Sequence, residues 1–159
     1  MDLIRAALGS TARWVTAVER EARKSVAHVP SLDHTVCRNW LGEAIDVDEP
    51  GDIDAVETLR LALGGTRRKP LQHLGEAQSL QVIATRPDLT GATFVSDDAS
   101  AVDLARRNGI PVWTTRHILR ACYDTEHIGC PDAYQLLRDL REIHGRGVRV
   151  PPDHTAVCP

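Results

Sequence analysis

The chain reads as an α/β domain with a mainly parallel central sheet flanked by helices. Three observations predict it. Helix and strand signals alternate along the 159 residues, as they do in sheets whose parallel strands are joined by helical crossovers. The segment 93–98 is apolar and then abruptly acidic, Thr-Phe-Val-Ser-Asp-Asp. A helical pattern follows it, and then a second apolar run, Ile110-Pro111-Val112-Trp113. This makes a strand–helix–strand unit of about 20 residues, suited to a right-handed parallel crossover.

The elements follow in order. Leu3, Ile4, Ala7 and Leu8 sit at helical spacing, with Gly9 as a stop. Residues 12–16 predict a short strand. A helix with Val18, Ala22, Val26 and Val29 on its apolar side ends at Pro30. A variable-looking stretch leads to Trp40, and 41–47 predicts a strand before the Pro50-Gly51 turn. Asp52 is expected to cap a helix carrying Ile53, Val56, Leu59 and Leu63, closed by Gly64-Gly65. A basic loop, Thr66-Arg67-Arg68-Lys69-Pro70, precedes a helix over 74–86 that turns Ala77, Leu80 and Ala84 inward. A buried strand over 93–96 comes next, then a helix over 98–108 with Ala101, Val102 and Ala105 inward and Gly109 at its end. The strand 110–114, a short helix 116–123 and a helix 132–144 burying Ala133, Leu136, Leu137, Leu140 and Ile143 complete the domain. An edge strand is expected at 148–150. The domain is expected to span 1–150, with 151–159 as a flexible tail.

Length suits one domain with a core large enough to need no staples. Hydrophobic residues make up 42%, an ordinary share for a soluble protein. No apolar run approaches the ~20 residues of a membrane span. The start carries no basic-then-apolar signal, so the cytoplasm is the expected location and no membrane is a partner. There Cys37, Cys122, Cys130 and Cys158 read as thiols. Two His-x-x-Cys pairs, His34 with Cys37 and His127 with Cys130, would make a zinc site only if brought together. The net charge of −3 is uneven: residues 43–57 hold seven acids and no Lys or Arg, which leaves 15 acids against all 19 basic residues elsewhere. Seventeen of those 19 are arginine, the cation suited to bidentate phosphate contacts. Genomic base composition produces the same bias.

Ligands of parallel sheets sit beyond the carboxyl ends of the strands, and Asp97 lies at such an end. Asp98 fits the N-cap of the next helix. Glu76 falls in a first helical turn, favourable for negative charge, and shares a face with Leu80 and Ile83. Glu21 borders the inward face through Val18 and Ala22. Alone, Glu76 and Glu21 read equally as solvated helix charges. Converging at one sheet end, such acids would bind Mg²⁺ or Mn²⁺, which take oxygen ligands. The Arg67-Arg68-Lys69 loop would guide a nucleic-acid backbone by charge, or is simply a solvated loop.

The motifs Trp14-Val15-Thr16-Ala17-Val18-Glu19-Arg20-Glu21, Leu74-Gly75-Glu76-Ala77-Gln78 and Val95-Ser96-Asp97-Asp98, continued by 104–112, carry a resemblance. In order and spacing the chain resembles the PIN-domain superfamily of metal-dependent ribonucleases, above all its toxin-like branch. The resemblance implies a three-layer PIN-like fold and an acidic pocket that binds Mg²⁺ or Mn²⁺ and cleaves RNA. It makes Glu21, Glu76 and Asp97 the catalytic metal ligands, with Asp98 as an adjacent addition and Arg67, Arg68 and Lys69 as substrate-binding residues. Gln78 stands where many members have a further glutamate. A small antitoxin partner and a homodimer also follow from the resemblance.

One departure stands at the start. The family opens with a central strand ending in aspartate, whereas here Met1-Asp2-Leu3-Ile4 is already helical. The expectation is a sheet lacking its first central strand, with a translation start set about 20 residues too far downstream or a truncated gene as the cause. Such a chain is expected to be a weak nuclease. The alternative function is a non-catalytic nucleic-acid-binding or regulatory PIN-like protein. A phosphoryl-transfer module would need a lysine after a strand, and neither Lys24 nor Lys69 follows one.

Overall fold

The computed structural model describes residues 3–29, 40–144 and 148–159. In chain order the helices are α1 (Leu3–Leu8), α2 (Thr16–Ser25), α3 (Pro50–Ala62), α4 (Leu74–Thr85), α5 (Ala99–Arg107), α6 (Thr115–Asp124) and α7 (Cys130–His144). Strands β1 (Phe94–Val95) and β2 (Val112–Trp113) flank α5. The protein is thus mixed α/β and mostly helical. Its named sheet has two parallel strands, fewer than the central sheet expected. The chain divides into two compact units, Ser10–Ala92 and a second made of Met1–Gly9 with Thr93–Pro159, where one domain over 1–150 was expected. No helix among the described residues is long and apolar enough to cross a membrane.

In the Ser10–Ala92 unit the two short strands expected at 12–16 and 41–47 reduce to one parallel bridge, Val15 with Ile45. Thr16 N donates to Ile45 O at 3.1 Å, and Ile45 N donates to Trp14 O at 2.9 Å. Helix α3 packs on α4, and α2 packs on α4. The helix expected to start after Asp52 starts earlier, because Pro50 suits the first helical position. Asp52 therefore does not cap α3; its Oδ1 accepts from Gln81 Nε2 at 2.7 Å. Ile53 and Ala84 point to solvent. The inward stripe of α3 runs instead through Val56, Arg60 and Leu63.

Arg60 is 1% exposed, the buried charge of this unit. It is tolerated because its donors are matched. Nε and Nη2 donate to the two Glu57 oxygens at 2.7 and 2.8 Å. Nη1 donates to Thr66 O and Lys69 O, both at 3.1 Å. The guanidinium holds the Glu57 carboxyl below the usual carboxylate range, chiefly through those hydrogen bonds. Arg60 thereby fastens the backbone of the basic loop, whose side chains Arg67, Arg68 and Lys69 all stay exposed. Gly65 makes room for it: a Cβ there would stand 2.7 Å from Arg60 Nη1 and 2.7 Å from Arg60 O. Backbone cannot swing aside as a side-chain tip can. Gly65→Ala is expected to destabilise the unit by about 1–3 kcal/mol, read as a lower urea midpoint, while Gly51→Ala, with open space around it, serves as the silent control.

In the Thr93–Pro159 unit the register is Phe94 with Val112 and Val95 with Trp113. Strand β1 is buried on one face only: Phe94 is 4% exposed and Val95 is 41% exposed, the alternation of a strand covered on one side. Helix α5 buries Ala101, Val102 and Ala105 as expected. Gly109, at φ +71°, follows its end, a conformation that suits glycine.

Helix α6 begins with a capping box in which His117 takes the usual place of glutamate. Its Nδ1 accepts from Thr114 N at 3.1 Å, so this nitrogen carries no proton and Nε2 does. Burial, then the Arg116 and Arg106 charges, lower the proton affinity of His117, with Asp97 opposing. A histidine whose folded pKa is lowered contributes stability that is full above its unfolded value. That stability is lost as pH falls through the folded value. The unfolding free energy is expected to fall between about pH 7 and about pH 5 by on the order of 1 kcal/mol, the typical worth of a cap, read as a lower urea midpoint. His117→Gln, which accepts without titrating, should flatten that dependence.

Helix α7 buries Ala133 and Leu137 with Leu119, Val148, Val157 and Cys158, while Ile143 is 73% exposed. No strand forms at 148–150. The expected flexible tail is packed instead. Asp153 Oδ1 accepts from Thr155 N at 2.9 Å and caps the turn His154–Ala156, and Val157 and Cys158 are 0% and 1% exposed. Apolar Val157 draws the segment into the core and sets the Cα atoms of Cys130 and Cys158 5.3 Å apart, where they form a disulfide. The thiol reading is therefore corrected for these two. It holds for Cys122, a buried free thiol whose pKa burial raises. With its sulfur in the disulfide, Cys130 cannot join His127 on zinc; His34 and Cys37 lie outside the described residues.

Candidate functional site

Two of the predicted acids are brought together in the Ser10–Ala92 unit. Glu21 sits on α2, and Glu76 sits in the first turn of α4. Gly75 decides their approach. A Cβ at Gly75 would lie 2.9 Å from Val18 Cγ2 and 4.0 Å from Glu21 Oε2, so α4 comes this close to α2 only because residue 75 has no side chain. Glu76 follows directly. The Glu21 pKa is raised, first by partial desolvation and then by the Glu76 charge, with Lys24 opposing. Two carboxylates held against their own repulsion suit a cation.

His73 was not anticipated. It precedes α4 with φ +59°, and its ring offers a nitrogen within 4.8 Å of a Glu76 carboxylate oxygen. The available signal was its position three residues before Glu76, which puts both on the same side of a helix start. Gln78 accepts from Ala17 N through its Oε1 at 3.0 Å. It satisfies one of the unpaired donors at the start of α2.

The other two acids belong to the Thr93–Pro159 unit. Asp98 caps α5, its Oδ1 accepting from Ala101 N at 2.8 Å. Asp97 joins the end of β1 to the start of α6: Oδ1 accepts from Thr115 N at 3.1 Å, and Oδ2 accepts from the Thr115 hydroxyl. Both oxygens thus hold a partner, and each keeps a further lone pair. Thr115 is 18 residues away in sequence, and no local pattern announced it. The basic side chains of Arg67, Arg68 and Lys69 lie on the exposed loop fastened by Arg60, within the Ser10–Ala92 unit.

Within the Ser10–Ala92 unit, an imidazole nitrogen of His73 and a carboxylate oxygen of Glu76 lie within 4.8 Å of each other. Side chains so placed can contribute ligands to a metal ion. No protein-family model matches the chain, and neither does any curated protein or solved structure compared with it.

Proposed function

We propose that the protein is a PIN-like, divalent-metal-dependent endoribonuclease. The observation that carries the reading is the approach of Glu21 and Glu76 across Gly75, with the raised Glu21 pKa as its electrostatic sign. Glu21 and Glu76 would hold Mg²⁺ or Mn²⁺ in their ionised forms, with His73 beside them. A cation bound there supplies neutralisation of phosphate charge and activation of water. The residues' own part is positional. Gly75 keeps the carboxylates together, and the exposed Arg67, Arg68 and Lys69 attract the phosphate backbone by charge. No covalent protein intermediate is involved. Action as the toxin of a toxin–antitoxin module, with a small antitoxin or a second copy as partner, belongs to the same proposal.

The test is cleavage of RNA in the presence of Mg²⁺ or Mn²⁺. Products should vanish with EDTA and return when Mn²⁺ is restored in excess. Hydrolysis that persists in EDTA counts against the reading.

A second reading, a non-catalytic RNA-binding protein, has its own support. Gln78 is engaged with the α2 backbone, and Asp97 is engaged on both oxygens by Thr115. It predicts RNA binding that survives Glu76→Gln and no cleavage by either form.

A further inference from the structure

The Thr93–Pro159 unit holds a cleft of about 250 Å³ that the acids leave unexplained. Three arginines from three segments line it: Arg106 from the last turn of α5, Arg116 from the first turn of α6, and Arg149. Among the described residues none of the three makes an ion pair or a side-chain hydrogen bond. This contrasts with Arg60, Arg23 and Arg120, each of which pairs with a carboxylate on its own helix.

Three unpaired guanidinium groups around one concavity repel one another, and an anion relieves that repulsion. Asp97 also lines the cleft, but its oxygens already accept from Thr115. Asp103, the other acid of the lining, forms no ion pair with any of the arginines. With His117 neutral, the lining carries three positive and two negative charges. His117 adds an uncharged donor, since its Nδ1 accepts from Thr114 and its proton therefore sits on Nε2. The volume lies below the ≈300–1,000 Å³ of ordinary small-molecule pockets, so it suits one phosphate group with part of a sugar rather than a large ligand. Arginine's planar fork matches phosphate oxygens in pairs.

We propose that this cleft binds a phosphate group, carried by a mononucleotide or by an RNA chain, through Arg106, Arg116 and Arg149. Only the RNA source rests on the proposed function; the phosphate chemistry stands on the cleft itself.

The test is binding in EDTA, which separates it from cleavage. AMP and a short RNA, with and without a 5′-phosphate, are titrated against the wild type and the Arg106→Ala, Arg116→Ala and Arg149→Ala variants. All three side chains are exposed, so the fold should survive, and circular dichroism checks that. Each substitution is expected to weaken binding at least about tenfold, as loss of a charged hydrogen bond does. Tighter binding of AMP and of 5′-phosphorylated RNA assigns the cleft to a terminal phosphate. Equal binding of both RNAs with weak AMP binding assigns it to the backbone. Either supports the proposal. On the wild-type protein, AMP or RNA should also slow phenylglyoxal labelling of these three arginines, read by mass spectrometry. Absence of binding, or affinity unchanged in all three variants, would overturn it. Binding that holds while metal-dependent cleavage is absent overturns the nuclease reading and leaves the cleft standing.

Discussion

Reduction of the Cys130–Cys158 disulfide is expected to lower the stability of the Thr93–Pro159 unit by about 3–4 kcal/mol. The bond closes a loop with a sequence separation of 28, and the chain-entropy relation gives that magnitude for a loop of this size. The tertiary setting adds to it. The segment after Pro151 has little regular structure beyond the turn His154–Ala156, so its packing depends on Val157 and Cys158 staying in the cluster with Leu119, Ala133 and Leu137. Released from Cys130, the segment would fray and expose those positions. The expected fall in Tm is on the order of 20 °C. Urea unfolding with and without reductant measures it, and Cys158→Ser under oxidising conditions should reproduce the reduced protein. Intact mass that gains no hydrogens on reduction, or unfolding curves that coincide, would defeat the expectation. The same experiment bears on the cellular setting, because a reducing cytoplasm opposes such a bond.

Glu76→Gln is expected to reduce metal-dependent RNA cleavage by about 100-fold or more, since loss of even a supporting residue around a metal typically removes 10–100-fold. Its effect on stability should run the other way. Glu21 and Glu76 repel one another, and glutamine removes one of the charges while keeping the shape. The sign can be followed through pH. The folded pKa of Glu21 is raised above its ordinary 4.5. Its contribution to stability is therefore full below that value and is lost as pH rises through the folded one. Wild-type protein should lose part of its stability over that window, and Glu76→Gln should lose less. Divalent metal should restore the wild type and leave the variant unchanged. A variant that cleaves as fast as wild type, or that melts lower without metal, would argue that Glu76 is a plain first-turn glutamate.

His117 acts with the opposite sign to Glu21, because its folded proton affinity is lowered rather than raised. The two effects separate by unit and by sign. The histidine acts as pH falls below its ordinary 6.5, and the glutamate acts as pH rises above its ordinary 4.5. His117→Gln and Glu76→Gln together distinguish them.

Several features were legible in the chain alone because they depend on a few neighbouring residues. The helices α4, α5 and α6 follow from apolar spacing, and the end of α5 follows from Gly109. Asp98 capping α5 follows from an aspartate standing just before a helical pattern. The parallel pair of β1 and β2 follows from two short apolar runs separated by one helix. Other features depend on partners far along the chain, and no local pattern contains them. Nothing in the sequence around Arg60 marks it out, yet it is buried because the carbonyl oxygens of Thr66 and Lys69 fold back over it. The last residues read as loose because they are short and proline-rich, yet Val157 finds a core and Cys158 finds Cys130. Asp97 stood out as the acid of a strand end, and its actual partner is Thr115. The opening pair of acids separates in the same way: Asp98 serves the helix beside it, as its position in sequence requires, while Asp97 serves α6 through a contact made only on folding. Propensity and capping act within a turn or two of the backbone. Burial, charge pairing and the approach of Glu21 to Glu76 across Gly75 are set by packing between elements, where close fit rather than local pattern decides.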